Sequence, residues 1–379
     1  TISVGHCNQK VNDAVRLQLD SIQHVSTLFI TEPQVRLAEK IAGLAPGGGT
    51  LRQSFFTNSG TEANELAILA ARCFTGSSEI VALRHSYHGR SSLGMTLSGT
   101  STWRYGGLGQ SGIVHAHNAY CYRCPFGLTY PNCEVRCATD LKDLIRTTTS
   151  GRIAGMIAEP IQGVGGFITP PPEYFRIVAG IVREHGGIFI SDEVQTGWGR
   201  TGGKWFGIEQ YGVVPDMMTM AKGAANGFPI GITTARPEVA ASLSGKLTLS
   251  TFGGNPISTT AASAVISYIE EQNLLENVAT VGGYLREKLL ELQQKYPIIA
   301  DVRGRGLMQA IELVRDPVSK EPATAESKRL HELCRESGLL IGKAGLDGNI
   351  FRISPPLNIG KTDVDQFHEI LGTNLARLA

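Results

Sequence analysis

The sequence predicts an α/β fold: a large domain on a mainly parallel sheet, followed by a smaller α+β domain at the C-terminal end. Three observations predict it. Short apolar runs lead repeatedly into glycine or polar residues and then into a helical pattern, the grammar of βαβ units. Polar residues recur at the strand ends, where open parallel sheets bind their ligands. After Pro256 the rhythm changes to long helices and then to shorter strand-like segments.

Taken in order, Gln53–Thr57 runs into Asn58-Ser59-Gly60 and a helix-like stretch from Glu62 to Phe74. Ile80–Leu83 leads into Arg84-His85-Ser86-Tyr87-His88-Gly89, and Ile153–Ala158 into Glu159-Pro160. Ile188–Ser191 ends at Asp192, and Met217–Met220 at Ala221-Lys222-Gly223. Beyond Pro256, helical stretches run from Thr259 towards Gln272 and from Ala279 to Lys295. Strand character follows at Ile299–Arg303, Gly306–Val314, Leu339–Gly342 and Asn349–Ser354. The boundary is placed within Gly254–Ser258, giving a large domain over 21–255 and a small one over 256–379. Residues 1–20 are read as an N-terminal remnant associated with the small domain.

The bulk numbers suit a globular chain with a sizeable core: 379 residues, 42% hydrophobic and 18% charged. With 35 basic against 34 acidic residues the net charge is +1, so no nucleic-acid partner is expected. The longest apolar runs are strand-sized, far short of the roughly 18–20 residues that span a bilayer. No charged-then-apolar leader follows Thr1, so no signal peptide is expected. Seven cysteines, an odd and sparse count, fit a reducing compartment, and the cytoplasm is the expected location.

Lys222 is the centre of the chemistry. It follows a buried strand and stands between Ala221 and Gly223, small neighbours that let a ligand approach. A lysine buried there can lose its charge and attack an aldehyde as a neutral amine. By itself Ala-Lys-Gly is equally a solvated lysine at a strand end. Asp192 closes another strand, where a carboxylate needs a partner because burial is costly. The protonated pyridine nitrogen of pyridoxal phosphate is such a partner, and the protonated ring accepts electrons released at a substrate α-carbon. A helix N-cap is the plainer reading of the same aspartate. Asn58-Ser59-Gly60-Thr61-Glu62 offers a phosphate cup on a helix N-terminus, with Gly60 allowing close approach and Thr61 adding a hydroxyl. It also reads as a capping box, with Ser59 as N-cap and Glu62 at N3.

Six stretches then occur in one order: Asn58-Ser59-Gly60-Thr61-Glu62-Ala63-Asn64, Tyr87-His88-Gly89, Glu159-Pro160-Ile161-Gln162-Gly163, Asp192-Glu193-Val194-Gln195-Thr196-Gly197, Ala221-Lys222-Gly223 and Ser250-Thr251-Phe252-Gly253-Gly254-Asn255-Pro256. In this the chain resembles the class III aminotransferases, and within them the alanine–glyoxylate aminotransferase 2 group, over nearly its whole length. The resemblance implies the fold-type-I architecture of pyridoxal-phosphate-dependent transferases. It implies that Lys222 holds the cofactor and shuttles a proton, that Asp192 holds the pyridine nitrogen and that Gln195 reaches the phenolic oxygen. Tyr87 and Val194 would cover the two ring faces, with His88 beside them, and Gly60 and Thr61 would bind the phosphate. Thr251 would reach the phosphate of the other subunit of a homodimer. Arg352, in Phe351-Arg352-Ile353-Ser354-Pro355-Pro356, matches the arginine for the substrate carboxylate, a task suited to its planar fork. Glu159 would pair with Arg352 when no such carboxylate is bound, although an arginine–glutamate pair also commonly just joins domains.

The implied activity is a ping-pong aminotransferase moving an amino group from an α- or ω-amine donor to an oxo acid such as pyruvate, glyoxylate or 2-oxoglutarate. The rivals are decarboxylation or intramolecular amino transfer on the same scaffold, and a binding protein without turnover. A nucleotide-binding reading is weaker still, since no Gly-x-Gly-x-x-Gly follows the first strand. One stretch departs from the family pattern. Cys121, Cys124, Cys133 and Cys137 could hold a structural Zn²⁺, with His115 and His117 as spare ligands, or act as small apolar residues.

Overall fold

The computed structural model describes residues 2–106 and 109–378. Helices α1 (Gln9–Leu19) and α2 (Glu32–Leu44) precede β1 (Gln53–Thr57), α3 (Gly60–Thr75), β2 (Ile80–Leu83), α4 (Ser92–Leu97) and β3 (Ile113–Ala116). Then come α5 (Arg136–Thr139), α6 (Leu141–Thr148), β4 (Gly155–Ala158), α7 (Tyr174–Glu184), β5 (Ile188–Asp192), β6 (Met217–Met220), β7 (Gly231–Ala235) and α8 (Pro237–Ala241). The rest is α9 (Pro256–Glu271), α10 (Leu274–Lys295), β8 (Ile299–Arg305), β9 (Met308–Asp316), β10 (Glu321–Pro322), α11 (Thr324–Glu336), β11 (Gly342–Ala344), β12 (Ile350–Ile353) and α12 (Lys361–Ala376).

Seven strands form one sheet in the order β1-β7-β6-β5-β4-β2-β3. From β6 to β3 all neighbours are parallel, while β7 is antiparallel to both β6 and β1. Every residue of β2, β4, β5, β6 and β7 is buried. Burial on both faces is why these strands read as unbroken apolar or small-residue runs rather than as alternation. Successive side chains still point to opposite faces. Phe189 meets Phe175 of α7, ring centroids 5.8 Å apart, while Ile190 joins the cluster of Ala67, Ile68 and Ala71 on α3. Each such large side chain contributes about 1.5–3 kcal/mol by leaving water.

The smaller sheet is antiparallel, in the order β10-β9-β12-β11 with β8 on the other side of β9. It opens after α9, whose start is fixed locally. Asn255 caps it by accepting from Ser258 N (3.0 Å), and Pro256 stands at the first turn, where its missing N–H costs nothing. The α1 helix packs against α9, and Ser3 O accepts from Leu357 N (2.7 Å). No helix among the described residues is long and apolar enough to cross a membrane.

Two strands differ from the sequence reading. The expected Ile153–Ala158 strand begins at Gly155, and of Leu339–Gly342 only Gly342 is extended, within β11. Three others, β3, β7 and the two-residue β10, were not foreseen. The β3 strand is a four-residue edge with a histidine in it, and β7 is rich in glycine and threonine, so neither carries a strong apolar run.

Candidate active site

Three neighbouring strands deliver chemistry to one edge of the large sheet. The β4 strand runs out into Glu159, β5 ends on Asp192, and β6 passes through Ala221 into a 3-10 turn at Lys222–Ala225. Parallel pairing of Ala158 with Ser191 and of Asp192 with Thr219 sets these ends level. With the N-terminus of α3 and the segment after β2, they enclose a cavity of about 170 Å³. Its lining includes Gly60, Thr61, Tyr87, His88, Glu159, Asp192, Val194, Gln195 and Lys222. Gathering these nine positions from separate segments is the work of the sheet.

Asp192 is 3% exposed and held by three donors. His88 Nδ1 lies 2.8 Å and Asn64 Nδ2 2.9 Å from Oδ2, and Val194 N donates to Oδ1 (3.1 Å). His88 Nε2 is buried with no partner. Asn64 is fixed in turn by Thr219, whose hydroxyl donates to its Oδ1 (2.6 Å), and it also donates to His88 O (2.9 Å). The sequence reading quoted Asn64 without giving it a role; the signal was a polar residue on the apolar, sheet-facing side of α3. Lys222 has φ +44°, a strained value for a side chain with a Cβ. Burial drives its amine below the ordinary lysine range, against the pull of Asp192 and Glu159, and Arg352 adds to the lowering. A larger share of neutral amine is what attack on an aldehyde requires.

The α3 terminus is a ready anion site, because its first N–H groups have no helical partner. Ser59 Oγ accepts from Glu62 N (3.3 Å), but the Glu62 carboxylate reaches Asn58 N (2.8 Å) rather than Ser59 N. The expected capping box is therefore only half made. Thr61 Oγ1 accepts from Arg90 N (3.2 Å), and Gly89 passes so close that a Cβ on it would lie 2.2 Å from that oxygen. At φ +130° this position suits glycine on both counts. A carboxylate beside a buried amine, an N-terminal phosphate cup and flanking Tyr87 and Val194 fit pyridoxal phosphate: Lys222 for its aldehyde, Asp192 for its ring nitrogen, Gly60 and Thr61 for its phosphate.

A second cavity of about 330 Å³ shares Tyr87, Val194, Gln195 and Lys222 with the first and adds Trp103, Val164, Phe167, Trp198, Met308 and Arg352. Arg352 is opposite Ala310 on β9 and Gly342 on β11. Its Nη1 donates weakly to Gly163 O (3.4 Å), its Nε is buried without a partner, and its guanidinium stands 5.7 Å from the Phe167 ring centre. Burial lowers its pKa, so a carboxylate entering the cavity gains a hydrogen-bonding partner whose charge is poorly screened. The expected Glu159–Arg352 pair is not made. Glu159 Oε1 accepts from Tyr87 N (2.9 Å) and Oε2 from Gly163 N (2.7 Å), so both oxygens are engaged by backbone. Sequence alone could not show this, because the competing donors are main-chain groups.

Thr251 lies away from both cavities, exposed on the rim of an open groove shared with Thr57, Asn58 and Phe252. The expected zinc site is not formed. Cys121, Cys124, Cys133 and Cys137 line one small cavity as free thiols, but among the described residues no three His, Cys, Asp or Glu are arranged to hold a metal ion. His115 is engaged with Leu97 O (3.1 Å) and His117 packs on Phe126. Burial pushes the Cys137 thiol up to about 12, so it stays protonated and packs as a small apolar group, while Cys121 is exposed.

Residues 1–375 match the family described as aminotransferase class-III. The chain is 45% identical over 377 residues to an alanine–glyoxylate aminotransferase 2 homologue, mitochondrial, of Arabidopsis thaliana, covering 100% of this chain and 77% of that protein. It is 39% identical over 397 residues to the human mitochondrial alanine–glyoxylate aminotransferase 2, with the same coverage of 100% and 77%. Among solved structures, an amine transaminase from an uncultivated Pseudomonas species in its PLP-bound form superposes with a TM-score of 0.94 at 30% identity, over 100% of this chain and 88% of that one. With a buried lysine, a fixed carboxylate and a phosphate cup at one sheet edge, the chain belongs to the class III aminotransferases, enzymes of pyridoxal-phosphate-dependent amino transfer.

Proposed function

We propose that this enzyme moves an amino group from an amino acid, α- or ω-amine, to a small 2-oxo acid, with glyoxylate as the acceptor when alanine is the donor and pyruvate as an acceptor for other donors. The carrying observation is that Lys222 lines both cavities at once, so one amine serves the cofactor site and the substrate site. Both named homologues carry alanine and glyoxylate in their names, which supports this choice of substrates. When bound, pyridoxal phosphate supplies an aldehyde for the amine and a ring that takes up electrons from the substrate α-carbon. Lys222 would hold the cofactor, and its amine is placed to carry the proton leaving the substrate α-carbon. Asp192, fixed by His88, Asn64 and Val194 N, would partner the ring nitrogen. Gln195 would reach the phenolic oxygen, Tyr87 and Val194 would flank the ring, and Gly60 and Thr61 would hold the phosphate. Arg352 grips the substrate carboxylate with its fork.

The active unit in this reading is a homodimer in which Thr251 serves the partner's phosphate. Its exposure away from both cavities supports that, as do exposed apolar residues lining the same groove, Leu247 (94%) and Phe252 (61%). The free cysteines support a reducing compartment, for which we keep the cytoplasm. Borohydride reduction of the yellow holoenzyme followed by peptide mapping tests the core of the reading. The label should fall on Lys222, Lys222→Ala should be colourless, and a label on another lysine would refute the assignment. A panel of amino donors against pyruvate, glyoxylate and 2-oxoglutarate then ranks the substrates.

A further inference from the structure

The wall facing Arg352 is a loop of the large domain, and a residue of the small domain outside both cavities holds it in place. Residues 162–168 turn back on themselves, with Gln162 N donating to Ile168 O (3.0 Å) and Gly166 N to Gly163 O (3.3 Å). Val164 and Phe167 line the larger cavity, Gly163 O accepts from Arg352 Nη1, and the Phe167 ring faces the same guanidinium. At Gly166, φ +106°, a Cβ would come within 2.4 Å of Ile350, so the peptide runs flush against β12. Its fastenings are to backbone: Gly345 N donates to Val164 O (3.1 Å), and Arg303 Nε donates to Gly166 O (2.8 Å).

Arg303, on β8, is itself aimed from several sides. Its Nη1 bonds Glu312 of β9 (2.8 Å) and also Asp301, and its Nη2 donates to the Tyr120 hydroxyl (3.2 Å). Its guanidinium lies 4.9 Å from the centre of the Tyr120 ring. Glu312 is bonded in turn by Tyr120 and by Arg123 Nε (2.6 Å). Two arginines and two carboxylates balance in charge, yet such buried clusters contribute little net stability compared with apolar packing. What this one does is fix a direction, pointing the Nε of Arg303 at Gly166.

We propose that Arg303 is a positioning residue for substrate recognition. By holding Gly166 O it fixes the 163–167 loop, and with it the carbonyl and ring between which Arg352 presents its fork. The inference rests on the reading of Arg352 as the carboxylate anchor. It is tested on the holoenzyme with Arg303→Lys, which keeps a cation beside Glu312 but has no planar fork to reach Gly166 as well. Propionate binding is measured by calorimetry, and KM and kcat with the best amino acid donor. The variant should weaken propionate and raise KM about tenfold, short of the ~100-fold that a 1 Å misplacement can cost, with kcat and cofactor absorbance retained. Unchanged propionate affinity and KM would overturn the proposal, as would a loss confined to kcat or to cofactor retention. Should Arg303→Lys fail to fold, Tyr120→Phe decides. It removes one bond to Arg303 and should shift KM and propionate affinity in the same direction by less, and no shift would overturn the proposal. Arg352→Gln separates the two readings. If it leaves propionate binding intact, the anchor assignment fails; if it abolishes binding while Arg303→Lys does not weaken it, the positioning role alone fails.

Discussion

Asp192 and Glu159 are buried carboxylates one strand apart, and their partners set them different tasks. Asp192 takes donors from a histidine, an asparagine and one backbone N–H, an arrangement that fixes a charge beside the cavity. Asp192→Asn keeps the shape but removes the charge. Cofactor retention should survive while turnover falls by roughly 10²–10³, the usual loss when a preorganised electrostatic partner is removed. Near-normal rates of the donor half-reaction in this variant would contradict the role. Glu159 behaves differently, because burial, with Asp192 nearby and against the help of His88 and two backbone bonds, pushes it up to about 7 from an ordinary 4.5. A folded-state value above the unfolded one means that the folded protein keeps a proton the unfolded chain releases. Stability from this group is therefore full below 4.5 and is lost as pH rises through about 7. In urea unfolding of the cofactor-free protein at pH 5 and 8, the wild type should lose on the order of 1–3 kcal/mol relative to Glu159→Gln. Parallel pH slopes for the two proteins would show that Glu159 is not the group responsible.

At the level of elements, what the sequence revealed follows burial. The β2 and β6 strands fall where their apolar runs end, and residues just after them line the cavity, because a strand buried on both faces announces its own last residue. The edge strand β3 lacks that signature. The clamp of Tyr120, Arg123, Asp301, Arg303 and Glu312 was invisible because its members are scattered and each looks like an ordinary surface charge until the domains meet. The cysteine stretch misled for the opposite reason: thiols at suggestive spacing were resolved by burial into packing. Elemental analysis of the purified protein should find no zinc, and a thiol reagent should reach exposed Cys121 well before buried Cys137. One zinc per chain with all four thiols protected would reverse that conclusion.

For the whole molecule the sharpest prediction concerns subunit exchange. In the proposed homodimer, Thr251→Ala chains mixed with Lys222→Ala chains should form hybrids in which the intact lysine, on the Thr251→Ala chain, faces the intact threonine of its Lys222→Ala partner. That site should hold cofactor fully while the Thr251→Ala homodimer holds it poorly; poor occupancy of the isolated hybrid, read by absorbance, would place Thr251 in its own chain's service, and full occupancy of the Thr251→Ala homodimer would remove it from the phosphate altogether. The order of the large sheet has a consequence for biosynthesis. The first strand, β1, sits at its far edge, and among the described residues it pairs with no other strand than the last, β7, Gln53 facing Ala235. On the ribosome, β1 and the anion-binding end of α3 wait for a partner through most of the domain's translation, an unpaired edge that invites association with other nascent chains. A product released before Gly231 would carry every motif from Asn58 to Lys222 and still be unable to capture vitamin B6, so early termination yields dead polypeptide rather than weakened enzyme.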